Sequence, residues 1–124
     1  TAPTHKHFTG WNTSADGNGT AYATGATYTV VGAATLYAQW EADPTYTVSY
    51  DANGGSGSMD AVAGKYAGET FAVASNGFTA PTHKHFTGWN TSADGNGTAY
   101  AAGVTYTVVG ATTLYAQWEA DPTY

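Results

Sequence analysis

The stretch HFTGWNTSADGNGTAY at His7–Tyr22 recurs letter for letter at His85–Tyr100. Aligning Thr1 with Thr79 extends the match: residues 1–46 and 79–124 differ only at Thr24/Ala102, Ala26/Val104 and Ala34/Thr112. The segment is therefore duplicated because a whole unit is, with an offset of 78 residues. Self-similarity at a fixed period is the mark of modules in an array, and it precedes any search for a single active site. Residues 47–124 make one complete repeat, and residues 1–46 are the C-terminal part of another.

Within that unit the pattern is β throughout. Tyr46, Val48 and Tyr50 alternate with Thr47 and Ser49, as in a half-buried strand. Phe71 and Val73 mark a second strand, Lys84–Asn90 a third, Thr105–Val108 a fourth and Thr113–Trp118 a fifth, with Leu114, Ala116 and Trp118 on one face. Phe86 and Trp89 are three apart, so a regular strand would point them oppositely; Gly88 between them predicts a bulge that turns both rings inward. NGGSGS (Asn53–Ser58) and DGNG (Asp94–Gly97) read as turns, where Asn and Gly accept positive φ cheaply. No segment carries apolar residues at helical spacing for the length a helix needs. The expected core is Tyr46, Val48, Tyr50, Phe86, Trp89, Leu114 and Trp118.

Composition narrows the function classes. Hydrophobic residues make up 42% and aromatics 15% of the 124 residues, enough for a packed core and against disorder. There is no Ile, and Leu occurs only at Leu36 and Leu114, so Val, Ala and aromatic rings must exclude water. Three Lys and no Arg against nine acids give a net charge of −6, which disfavours nucleic acid and anionic membrane surfaces as partners. Zero cysteines exclude disulfides and thiolate chemistry. No apolar run approaches the roughly 20 residues of a membrane span, so membrane insertion is not expected. No signal peptide is visible, so a secreted protein would carry its signal and anchor outside this stretch.

Three segments in order, TVSYDANGGSGS, HFTGWNTSADGNGTAY and TLYAQW, resemble the Listeria-Bacteroides repeat, also called the internalin B-repeat. The similarity spans 47–124, and the first 46 residues are similar to its second half. The resemblance implies a β-grasp (ubiquitin-like) fold with little or no helix. It also implies tandem arrangement on secreted or wall-anchored bacterial proteins, as a spacer between an anchor and a distal domain. The chain departs from the family at THKH (Thr82–His85), where the family often has Arg or Lys followed by Gly.

Those histidines are one candidate site. His83 and His85, like His5 and His7, stand at i and i+2, which on a strand puts both rings on one face; such pairs hold Zn, Cu or Ni when further ligands join them. No Cys exists and no carboxylate is near in sequence, so a closed site would need ligands from another unit, and an exposed polar strand entry is the plainer reading. Asp94-Gly95-Asn96-Gly97-Thr98 places oxygens at alternate positions but misses the calcium-loop spacing, and no cofactor is expected. Tyr115, opposite in parity to Leu114 and Trp118, and its counterpart Tyr37 are the rings expected to face outward, where they could stack on a glycan. No nucleophile elbow or metalloprotease motif is present, and the expectation is no enzyme.

A unit of this size without disulfides buries only about 60–70% of its unfolded surface, so neighbouring repeats would add to its stability. The link EADPTY (Glu41–Tyr46, and again Glu119–Tyr124) is short and holds a proline, which restricts bending. Together these readings predict a structural spacer, able to assemble into a fibre, whose partners are neighbouring repeats or other copies of itself. A glycan- or mucin-binding adhesion module on host or cell surfaces is the alternative. Residues 1–46 should present an open sheet edge that another chain could pair with.

Overall fold

The computed structural model describes residues 1–123, and among them every regular element is a strand. The chain divides into two compact units, Thr1–Pro44 and the remainder from Thr45. The first contains β1 (Lys6–Asn12), β2 (Ala21–Tyr22) and β3 (Tyr37–Ala42), in the sheet order β2-β1-β3. The second contains β4 (Tyr46–Asp51), β5 (Val62–Lys65), β6 (Thr70–Ala72), β7 (Lys84–Asn90), β8 (Ala99–Tyr100), β9 (Thr105–Thr107) and β10 (Thr112–Ala120).

In the second unit five strands form one mixed sheet in the order β5-β4-β10-β7-β8. β10 lies at its centre, antiparallel to β7 and parallel to β4, with Val48 opposite Thr112 and Tyr50 opposite Leu114. β6 and β9 form a separate antiparallel ribbon centred on the Phe71–Tyr106 pair. The expected bulge is present: Phe86 faces Trp118 and Gly88 faces Gln117, leaving Thr87 extra. Gly88 has φ 152°, which side-chain-bearing residues rarely adopt, and a Cβ there would lie in contact with the Tyr100 carbonyl at 3.4 Å. The added residue brings Phe86 and Trp89 to one side, their rings 5.0 Å apart and edge to face.

The buried core is Val48, Val73, Phe78, Trp89, Tyr106, Val108, Leu114 and Ala116. Of the expected core residues, Val48, Trp89 and Leu114 are at its centre, while Tyr46, Tyr50, Phe86 and Trp118 pack half-buried at its margin. Their polar atoms explain part of the marginal placement. The Trp118 indole N–H donates to the Ala52 carbonyl at 2.8 Å, and Tyr50 Oη accepts from the Ala74 amide at 3.0 Å. Strand β5 has no sequence signature, since Val62 is its one large apolar residue; its register against Tyr46 and Val48 holds it in place.

The first unit repeats the β7-β8-β10 arrangement with the same registers. Trp11 faces Tyr22 as Trp89 faces Tyr100, and the bulge falls between Phe8 and Gly10. Two differences occur in near-identical sequence. Thr27–Thr29 form no strand although Thr105–Thr107 do, and β3 begins at Tyr37 whereas its counterpart begins at Thr112 rather than Tyr115. Both missing stretches are those that pair with β6 or β4 in the second unit.

Candidate functional site

The histidines do not form the expected pairs of rings on one strand face. His83 and His5 precede their strands and adopt positive φ, 63° and 60°, so each sits in a turn and only His85 and His7 are on strands. Strand pairing brings in the carboxylates that sequence distance concealed: the His85 Nδ1–H group donates to Asp121 Oδ1 at 2.9 Å, and His7 Nδ1–H to Asp43 Oδ1 at 2.8 Å. The Asp121 amide also donates to the His83 carbonyl at 2.8 Å. Each pair is about half exposed, and this contact latches the link after the last strand to the entry of the strand beside it. Among the described residues no three His, Cys, Asp or Glu side chains gather as a metal would require.

The DGNG turns are organised by a buried asparagine. Asn90 is 4% exposed; its Oδ1 accepts from the Ser92 and Gly97 amides, and its Nδ2 donates to the Gly95 carbonyl. Asp94 Oδ1 accepts from the Ser92 hydroxyl at 2.5 Å and the Asn96 amide at 2.9 Å. Those donors, the hydroxyl first, hold the Asp94 carboxyl below the ordinary range, and Asp16 is depressed the same way by Ser14 and the Asn18 amide. Gly95 carries the positive φ, 82°, while Asn96 does not, so the aspartate-to-amide bond shapes the turn here.

The aromatic residues described in the second unit are buried or half-buried, whereas Phe8, Trp11, Tyr37 and Trp40 of the first unit are exposed. Trp89 is 1% exposed, donates to the Ala74 carbonyl at 2.9 Å, and packs with Tyr50, Phe78 and Phe86. The ring pairs of the second unit are tilted or edge to face, at 50–70° between planes, whereas a sugar platform needs coplanar outward rings. Tyr115 is half-buried and Tyr37 is 40% exposed. A shallow recess of ≈ 350 Å³ beside Gly88, Asn90, Tyr100 and Gln117 holds no titratable group except the Tyr100 phenol.

Sequence reading missed Asn53. It adopts φ 46°, and its Nδ2 donates to the Ala93 carbonyl at 2.8 Å and the Ala116 carbonyl at 2.9 Å, fastening the turn after β4 onto the sheet centre. The Asn-Gly-Gly run signalled the turn, but nothing local signalled carbonyl partners 40 and 63 residues away.

The model of the Listeria-Bacteroides repeat domain matches residues 3–39 and 46–117. The chain belongs to the Listeria-Bacteroides repeat family. The second match runs from the start of β4 into β10, and the first covers the unit that lacks strands equivalent to β4–β6. A relative in Evansella cellulosilytica, named as a Gly-rich membrane protein, is 35% identical over 127 aligned positions, covering 92% of this chain and 14% of its own length. This Listeria-Bacteroides repeat chain thus spans about a seventh of that relative. No solved structure matches it.

Proposed function

We propose that the chain is a non-enzymatic, load-bearing spacer of a bacterial surface protein, built from tandem β-grasp modules. One observation carries the reading: the first and last strands of the complete module, β4 and β10, lie side by side and parallel. Tension applied through the two ends of such a module pulls these strands in opposite directions along their common axis. The whole ladder is then loaded in shear, and its hydrogen bonds resist together instead of parting one at a time.

The sheet order β5-β4-β10-β7-β8, with its outermost chain segments central and parallel, supports the β-grasp assignment. The proline-containing link supports stiffness between modules. Membership of the family, and the membrane protein that the relative is named as, support a location at the bacterial surface. Pulling the full chain by its ends in single-molecule force spectroscopy should give one discrete rupture for the second unit, releasing about 230 Å between Tyr46 and Ala120 beyond the roughly 33 Å they already span along the parallel strands. Smooth extension without a rupture peak would overturn the spacer reading.

A further inference from the structure

Asn-Gly pairs begin at Asn18, Asn53, Asn76 and Asn96. In such a pair the glycine nitrogen can attack the asparagine side-chain carbonyl carbon, because no Cβ on the following residue stands in the way. The fold treats these pairs differently. Gly97 and Gly19 donate their amide protons to Asn90 Oδ1 and Asn12 Oδ1 at 3.0 Å, which withholds the nucleophile. At Asn53 the side chain is held instead, its Nδ2 donating to the Ala93 and Ala116 carbonyls. Asn90 itself is followed by Thr91, which carries a branched side chain and donates its amide to the Thr98 carbonyl at 3.1 Å.

Asn76 has its carbonyl polarised while the nucleophile beside it is loosely held. Its Oδ1 accepts from the Phe78 amide at 2.9 Å. The acceptor for the Gly77 amide is Met59 Sδ at 3.3 Å, and a thioether is a weak partner. Negative charge that develops on Oδ1 as Cγ becomes tetrahedral is thus met by a fixed N–H group. Gly77 is exposed, so base and water reach its amide. We infer that Asn76-Gly77 is a self-modification site, at which the module rearranges its own backbone with water as the co-reactant.

The Gly77 amide gives up its proton to base, and its nitrogen forms a bond to Asn76 Cγ. The bond from Cγ to Nδ2 then breaks, and the nitrogen takes up a proton and leaves as ammonia, closing a cyclic imide. Water opens the imide at either carbonyl, leaving an aspartate side chain or an isoaspartyl linkage; no group is oxidised or reduced. Either product adds a negative charge, and the isoaspartyl form adds a main-chain atom. That change falls between the Ala74 carbonyl, which accepts from the Trp89 indole at 2.9 Å, and the buried ring of Phe78. The module therefore alters irreversibly with time at a position flanked by two core contacts, whether or not it bears load.

The test is to hold the full chain at mildly alkaline pH, take samples over time, cut them with trypsin and weigh the peptides. Cleavage after Lys65 and Lys84 isolates 66–84, whose one side-chain amide is that of Asn76, while Asn96 falls in 85–124 with Asn90 and Gln117. The mass gain of amide-to-acid conversion should appear in 66–84 at least about tenfold faster than in 85–124, since freeing Gly97 from an ordinary hydrogen bond costs about that factor. In denaturing urea the two rates should converge, because the restraints on Gly97 are then gone. The modified 66–84 peptide should elute as two isomers, as opening of an imide at either carbonyl requires. Equal rates in the folded chain, a rate ratio that persists in urea, or a single aspartyl product would overturn the inference.

Discussion

At the scale of single residues, identical side chains carry different weight according to what covers them. Trp89→Ala removes a buried ring and its bond to Ala74, and should cost about 3–5 kcal/mol. Trp11→Ala, on a face open to water, should cost about 1 kcal/mol or less. Urea unfolding read from NMR signals of each unit checks both; equal costs would contradict the difference in burial. Gly97 shows a second constraint, since a Cβ there would overlap Thr91 Oγ1 and Asn90 Oδ1, and Gly97→Ala should cost about 1–3 kcal/mol by the same measurement. Asp94 makes a prediction about pH. Its folded carboxyl titrates below the ordinary value of 3.8, so its contribution to stability is full above that value and is lost as pH falls through the depressed one. In an NMR titration Ser92→Ala should raise the Asp94 midpoint toward 3.8, because the serine hydroxyl is the largest cause of the depression. The Asp94 turn was legible as a turn in the letters DGNG. The Asn90 hub was not, because a buried Asn and a solvated one read alike until the chain closes around it.

Among elements, the informative comparison is TYTV at Thr27–Val30 and Thr105–Val108. The letters are the same, yet only the second forms β9, where the Val108 amide donates to the Glu69 carbonyl at 2.9 Å and Phe71 faces Tyr106. Strand propensity of Thr, Tyr and Val is expressed when a partner strand takes up the backbone donors and acceptors, and otherwise lapses. Hydrogen exchange should therefore find the Val108 amide protected at least about 100-fold more than the Val30 amide; comparable protection would mean that a partner for Thr27–Val30 exists in solution. Strands Lys6–Asn12 and Lys84–Asn90 behave in the opposite way and are alike in both units, bulge included. Their partners, β3 and the C-terminal half of β10, come from the same half of the repeat, so the strand and the bulge read from the sequence form in both units, although which strands pair was not legible. β5 was invisible in the sequence because its few residues hold a place set by β4 and not by their own apolar spacing.

For the whole molecule, a charge of −6 acts against the association that an open aromatic face would otherwise drive. Light scattering should rise near pH 4.7, the sequence pI, where that repulsion vanishes. Trp40→Ser should lower the scattering at that pH by removing an exposed ring, whereas Trp118→Ser should raise it by loosening the core margin around Phe86 and Ala52. The amino-acid sequence by itself determined the repeat, the absence of helical periodicity, the bulge at Gly88 and the turn at Asp94, because each is set by neighbours within a few residues or by self-similarity. Only the tertiary structure decided that Tyr46, Tyr50, Phe86 and Trp118 lie at the core margin, that His85 meets Asp121, and that one copy of each aromatic face is covered while the other is open. These outcomes depend on which distant strand supplies hydrogen bonds and apolar cover, and near-identical half-repeats differ in that supply alone.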